Sequence, residues 1–266
     1  MERSQEGAGR AAELLRTVGL TKSYNTVEGE EVFALDATSL TLADGEFVSA
    51  VGPSGCGKST LMKLIAGIIP RSAGQIFYRG HPVRKAQRGM GVVFQSPVLL
   101  PWLTILQNVL LPSRVLHLDR QAAEERARHL LRLVGLEEFE RKYPIELSGG
   151  MQQRASIARS LIHDPSVLLM DEPFGALDAL TRERMSLELQ RIWMVNQKTV
   201  FFITHSISEA VFLSDRVIVM SARPGKIVQE FQIPFARPRD FELTTTEQFG
   251  HYVGHIRNLL GAKADV

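Results

Sequence analysis

Gly52-Pro53-Ser54-Gly55-Cys56-Gly57-Lys58-Ser59-Thr60 is the stretch that decides the fold. Gly52 and Gly57 lie five residues apart and are followed by Lys58 and Ser59, which is phosphate-loop spacing. Glycines let the backbone turn so that successive N–H groups point inward around an anion. Lys58 would then reach the β- and γ-phosphates of a nucleotide, and the Ser59 hydroxyl would ligate Mg²⁺. The flanks suit this reading. Residues 47–51 are a short apolar run with strand character, and 61–67 have helical character. The loop therefore sits at the positive end of a helix.

Bulk composition sets the outer bounds. A chain of 266 residues suits one α/β domain with a sizeable core and room for a subdomain. Basic and acidic residues number 31 and 29, so there is no polyelectrolyte signature. That balance argues for neither nucleic acid nor an anionic membrane surface as the partner. Cys56 is the single cysteine, which excludes an internal disulfide and a cysteine-built metal site. It reads as a small filler of the loop, since nothing beside it marks an activated thiol. The N-terminus carries Glu2, Arg3, Glu6 and Arg10 and lacks the apolar centre of a signal peptide. No apolar run reaches the roughly 18 residues that a membrane-spanning helix needs.

Taken in order, residues 1–13 read as a polar, flexible tail. Residues 14–20 and 37–42 read as strands flanking a loop that holds Tyr24. An aromatic ring before a phosphate loop can stack on a base, and Phe33 competes with Tyr24 for that role. Further strands are expected at 74–78 and 91–94, with Gln95 at the end of the second. Its amide oxygen can reach a metal or a water; taken alone, it reads rather as a surface residue. From 96 to 158 strand signals vanish. Residues 103–116 and 121–134 place apolar residues at helical spacing, with Leu130, Leu131 and Val134 opposite the charges of Glu124, Glu125, Arg126 and Arg128. Ser148-Gly149-Gly150 precedes another helix over 152–162. Ser148 can be an ordinary N-cap or, with the two glycine amides, a second anion site.

The apolar strand at 167–170 ends in Asp171 and Glu172. Such a strand belongs at the centre of a parallel sheet, and ligands bind at the carboxyl ends of those strands. Asp171 there can hold Mg²⁺, and Glu172 can orient an attacking water. A turn through Gly175 and Asp178 leads to a helix over 181–195. A strand follows over 199–203, with His205 just past its end, and then a helix over 206–213. Residues 216–221 and 226–231 form a hairpin across Arg223-Pro224-Gly225, and 249–260 form a last amphipathic helix.

In this order the motifs resemble the ATP-binding subunit of ABC transporters over about residues 14–235. Gly52 to Thr60 matches the family's phosphate loop, Gln95 its Q-loop, and Leu147-Ser148-Gly149-Gly150-Met151 its signature. Asp171 and Glu172 match the second acidic motif, Gly175 to Asp178 the D-loop, and His205 the switch histidine. Met151 stands where the family usually has Gln, and Gly175 where Ser is commoner. Leu100-Pro101-Trp102-Leu103-Thr104 and Met220-Ser221-Ala222-Arg223-Pro224-Gly225 further resemble the nitrate, sulfonate and taurine importer group.

The resemblance implies a P-loop NTPase core, α/β with a mostly parallel sheet, joined by an antiparallel β subdomain and an inserted helical subdomain. The core is expected at 14–95 and 159–240, the helical subdomain at 96–158, and a C-terminal helical extension at 241–266. It implies an ATP hydrolase coupled to transport, with ATP and Mg²⁺ as cofactors. Catalytic roles fall to Lys58, Glu172 and His205, and metal contacts to Ser59, Gln95 and Asp171. Nucleotide contacts fall to Tyr24, to the loop residues Gly52, Pro53, Ser54, Gly55, Cys56, Gly57, Lys58, Ser59 and Thr60, and to Gln95. A second copy is expected to close head to tail and to supply Ser148, Gly149 and Gly150, and Asp178 of the D-loop is a further nucleotide contact. Permease subunits in the membrane and, indirectly, a solute-binding protein are the other implied partners. The chain would work peripherally at the cytoplasmic face of the membrane. The competing expectation is a soluble ABC ATPase acting on nucleic acid or ribosomes. Such proteins tend to carry two cassettes in one chain or a long coiled coil, and this sequence has neither.

Overall fold

A computed structural model describes residues 12–25, 27–175 and 177–261. Residues 1–11 of the expected tail, Ala176 of the turn before Asp178, and 262–266 lie outside the described residues. The chain opens with β1 (Glu13–Asn25) and β2 (Glu31–Ala43), followed by β3 (Phe47–Val51), α1 (Lys58–Ile65), β4 (Ala73–Tyr78), β5 (His81–Pro82) and β6 (Met90–Val93). Three longer helices come next: α2 (Ile105–Val115), α3 (Arg120–Leu133) and α4 (Gly149–Leu161). The chain then alternates through β7 (Val167–Asp171), α5 (Ala179–Asn196), β8 (Thr199–Ile203), α6 (Ile207–Leu213), β9 (Arg216–Met220) and β10 (Ile227–Gln232), and ends in α7 (Glu247–Gly261).

Two sheets form. One has the order β10-β9-β3-β8-β7-β6, parallel throughout except at the β9–β10 hairpin. The other, β2-β1-β4-β5, is antiparallel. Every residue of β3, β7, β8 and β9 is buried, as parallel strands covered on both faces must be. Side chains alternate between two cores. Val48, Ala50, Leu169, Phe201 and Ile203 face α1 and the antiparallel sheet. Phe47, Val51, Met170, Val200 and Phe202 face the helices on the other side. Each such side chain contributes about 1.5–3 kcal/mol of burial, so the site rests on rigid strands.

The first hairpin departs from expectation. Strand β1 runs on to Asn25 and β2 starts at Glu31, so Tyr24 stands on a strand and not in a loop. Register shifts between Thr17 and Leu20 and again beyond Lys22 let the pairing continue through the polar stretch 21–23. Polar residues hide a strand in the sequence when one sheet face is wet. Glu13, the last residue of the expected tail, already pairs with Ala43 as part of β1.

The helices between β6 and β7 follow their amphipathic pattern. Thr104 caps α2 through a capping box with Gln107, and Asp119 caps α3. Ala127, Leu130 and Leu131 of α3 are buried, and Glu124 and Arg128 lie 3.5 Å apart on the exposed side. At the C-terminal end Arg239 is buried and donates to the carbonyls of Val211, Phe212, Ser214 and Phe235. Burial lowers its pKa to about 10. Those bonds, with Phe241 stacked on Phe212 at 4.6 Å, fasten the last segment to α6.

Candidate active site

The phosphate-loop stretch leaves the C-terminal end of β3, between its parallel neighbours β8 and β9. Gly57 precedes α1 with φ 100°, and a Cβ there would lie 2.6 Å from the Ala34 oxygen. Only glycine fits that turn, which packs the loop against β2. Lys58 is 6% exposed, and its Nζ donates to the carbonyls of Gly52 at 2.8 Å and Pro53 at 2.9 Å. The ammonium is thus folded across its own loop, and an incoming phosphate competes with two neutral carbonyls for it. A charged acceptor wins that competition, since ionic hydrogen bonds are roughly twice as strong as neutral ones. Cys56 is fully buried beneath the loop, as a filler should be.

A cleft of about 580 Å³ opens over the loop, lined by residues 54–60 with Tyr24, Gln95, Glu172 and Arg223. Its size falls in the range of small-molecule sites. Tyr24 is 45% exposed, and Lys22 Nζ sits 4.8 Å from its ring centroid. Phe33 pairs with Ser23 in the same hairpin but is not in the wall; Val32 and Ala34, on the other side of the strand, are.

The two carboxylates differ. Asp171 closes β7, is buried, and accepts from the Ser59 hydroxyl at 2.8 Å. Burial pushes its carboxyl pKa up, the Ser59 bond pulls it down, and neighbouring Glu172 pushes it up again. Glu172 takes φ 44°, a left-handed conformation that costs a side-chain-bearing residue about 1 kcal/mol or more. Its N–H donates to Ile203 O at 2.9 Å, which fixes the strained residue beside the end of β8. The turn aims the carboxylate into the cleft. There Oε2 lies 3.3 Å from His205 Nδ1 and 3.4 Å from Gln95 Nε2. A Cβ at Gly175 would sit 3.6 Å from the same oxygen, an ordinary contact, so a small side chain would fit there as well.

Whether these residues suit Mg²⁺ depends on donor chemistry. The Ser59 hydroxyl, the Asp171 carboxylate and the Gln95 amide oxygen are hard oxygen donors, the kind this ion prefers. Among the described residues no three His, Cys, Asp or Glu side chains cluster to hold a metal. Mg²⁺ is usually held by few protein groups together with phosphate oxygens and water. The structure joins Ser59 to Asp171, whereas Gln95 meets Glu172 and neither of those two.

Gly52, Pro53, Asp171 and His205 are not in the lining and reach the cleft only through contacts with Lys58, Ser59 and Glu172, and four further expected residues lie away from it. Ser148 is exposed and caps α4, accepting from Met151 N at 3.4 Å. The helix starts at Gly149, so both glycines form its first turn instead of preceding it. Asp178 is exposed and caps α5, accepting from Thr181 N at 3.0 Å, which lowers its carboxyl pKa. Ser148, Gly149, Gly150 and Asp178 are all absent from the lining.

Arg223 was not singled out by the sequence. The β9–β10 turn carries it to the cleft, with a terminal nitrogen 3.7 Å from where a Gly55 Cβ would be. Gly225 anchors that turn: its N–H donates to Ala34 O at 3.0 Å, and a Cβ there would fall 1.9 Å from Cys56 O. The usable signal was topological. A strand parallel to β3 and beside it must deliver its next loop to the phosphate loop.

Known proteins share this arrangement. The family model for ABC transporters matches residues 35–175. An uncharacterised ABC transporter ATP-binding protein of Methanocaldococcus jannaschii is 46% identical over 246 residues, covering 92% of this chain and 91% of that protein. A taurine import ATP-binding protein of Rhizobium johnstonii is 52% identical over 209 residues, covering 79% of this chain and 80% of that one. Among solved structures, a dimeric ATP-binding cassette in a post-hydrolysis state with ADP and Pi matches with a TM-score of 0.74 and 32% identity. The match covers 84% of this chain and all of that one.

Proposed function

We infer the function from one premise: the chain belongs to the ABC transporter family, as an ATP-binding subunit whose ATP hydrolysis is coupled to transport. We propose that it drives an importer of a small solute of the nitrate, sulfonate or taurine kind. The observation that carries the mechanism is the meeting of phosphate loop, Ser59–Asp171 pair and Glu172–His205–Gln95 cluster around one cleft.

In this reading the loop amides and Lys58 bind and orient the phosphate chain of ATP. Ser59, Asp171 and Gln95 would hold Mg²⁺, which when bound neutralises phosphate charge. Glu172 accepts a proton from the attacking water and keeps it in line. His205 steadies the Glu172 carboxylate and donates toward the γ-phosphate. Loss of one such contact costs about 3 kcal/mol, roughly a hundredfold in rate. The exposed Ser148–Gly150 turn completes the site of a second copy, and Asp178 meets that copy too. Two copies close head to tail on ATP and part after hydrolysis. Support comes from the matched cassette, whose solved post-hydrolysis structure is dimeric.

A permease would dock beside α2. An apolar groove of about 510 Å³ there is walled by Val98, Leu100, Leu111 and Val115, with Arg88 and Arg159 at its polar side. Trp102 and Val98 are 69% and 55% exposed, which a free surface rarely tolerates together. Among the described residues no helix is long and apolar enough to cross a membrane. The chain would therefore sit peripherally on the cytoplasmic face, with the solute-binding protein reached only through the permease. The relatives named for taurine import support the importer assignment. The test is affinity capture of the tagged chain from its native membranes, with mass spectrometry of the partners. A multi-helix permease is expected; ribosomes or nucleic acid without one would overturn the reading.

A further inference from the structure

We infer that Arg182 and Glu209 are positioning residues that lock the His205 turn to the loop ending at Asp178. The contacts form one chain. Arg182, in the first turn of α5, donates from Nη2 to the Leu177 carbonyl at 3.0 Å. Its Nε faces Glu209 Oε1 at 3.2 Å, an ion pair without hydrogen-bond geometry, so charge attraction alone joins the two side chains. The other carboxylate oxygen of Glu209 accepts from the Thr204 hydroxyl at 2.6 Å. The Thr204 oxygen accepts in turn from the Ser206 N–H at 3.0 Å. The residues on both sides of His205 are thus held by one carboxylate, and the cation on that carboxylate holds the residue before Asp178.

Neither partner lines the phosphate cleft. Both border a separate groove of about 440 Å³ between α5, α6 and the C-terminal segment. Glu209 is 9% exposed on its side chain and Arg182 29%. Burial raises the Glu209 carboxyl pKa, and the Thr204 bond and the Arg182 charge offset that rise only in part. Buried ion pairs are poor sources of stability, since a well-packed apolar pair of similar volume often does as well. What this pair supplies is geometry. Its hydrogen bonds fix two loops that in the proposed function serve different nucleotides: His205 the chain's own, Asp178 the one held with the second copy. A shift at one loop is passed to the other through two side chains.

The inference rests on the proposed role of His205, and the test separates the two. Turnover and KM for ATP are measured for Glu209→Gln and Arg182→Gln, each with His205 intact and with His205→Ala. Expected is a kcat loss of about tenfold for each variant with KM within about twofold, because positioning is disturbed and binding is not. On the His205→Ala background the same changes should cost clearly less than with His205 intact, because only their effect through the Asp178 loop remains. The His205 ring resonance in histidine-labelled protein should shift in both variants and stay put in an Arg154→Gln control. Wild-type turnover in His205→Ala would remove the role given to His205. Slow His205→Ala, with pair variants that keep wild-type kcat, that multiply its loss, or that leave the ring resonance unmoved, would overturn the inference alone. Glu209→Gln preserves shape and carries the test if Arg182→Gln fails to fold.

Discussion

Two helices in this chain begin at glycine, and they differ in what surrounds them. Helix α1 starts behind Gly57 inside a cleft walled by Tyr24, Gln95, Glu172 and Arg223. Helix α4 starts at Gly149 behind Ser148, with no side chain near the Cβ position of Gly149 and no place in that cleft. Both present backbone N–H groups and a positive helix end. One has its catalytic neighbours within the chain; the other stands open to solvent. In the proposed function the first helix start belongs to one nearly complete site and the second to half of another, as a head-to-tail pair would require.

The largest effect should come from the closed site. Glu172→Gln is expected to lower turnover by at least a hundredfold while ATP affinity, read by titration calorimetry, stays within about threefold. Turnover near wild type would remove Glu172 from catalysis. The open site should answer differently. Ser148→Arg is expected to leave nucleotide binding by the isolated chain intact and to cut turnover about a hundredfold, because the damage falls on the other copy's γ-phosphate. An equal loss of binding would place Ser148 in its own chain's site.

A smaller effect sharpens the boundary of the closed site. Arg223→Ala should raise KM for ATP by about five- to tenfold with little change in kcat, as a charge that binds ground and transition state alike does. An unchanged KM would leave Arg223 a bystander of the turn. The smallest effect is on stability. Burial raises the Asp171 pKa, so its ionised form is disfavoured in the folded chain. The resulting cost is absent below the unfolded pKa, grows as pH rises through the folded one, and is full above it. Asp171→Asn should then raise the unfolding midpoint of the nucleotide-free chain at pH 7 by about a degree or two, with the gain fading toward pH 4. A lowered midpoint at pH 7 would show that the Ser59 bond outweighs burial.

How much of this was legible depended on whether a residue's role is local. Gly57, Lys58 and Ser59 announce themselves, because loop chemistry needs those types at that spacing. The apolar run before Asp171 likewise marks a central strand. Tyr24 was placed in a loop because polar residues 21–23 mask a bulged strand. Arg223 escaped because its place follows from the adjacency of β9 and β3, a pairing across more than 160 residues of chain that no local pattern encodes. The Arg182–Glu209 contact joins two helices in the same way. Glu172 was legible as a strand-end acid, but its left-handed backbone was not.

The claim that the open turn serves a second copy is tested most directly by sedimentation of Glu172→Gln with and without ATP, alone and combined with Ser148→Arg. The account predicts a monomer without ATP, a dimer with ATP for Glu172→Gln, and a monomer that still binds ATP for the combined variant. A combined variant that dimerises as well as Glu172→Gln, or a Glu172→Gln chain that stays monomeric with ATP bound, would contradict it.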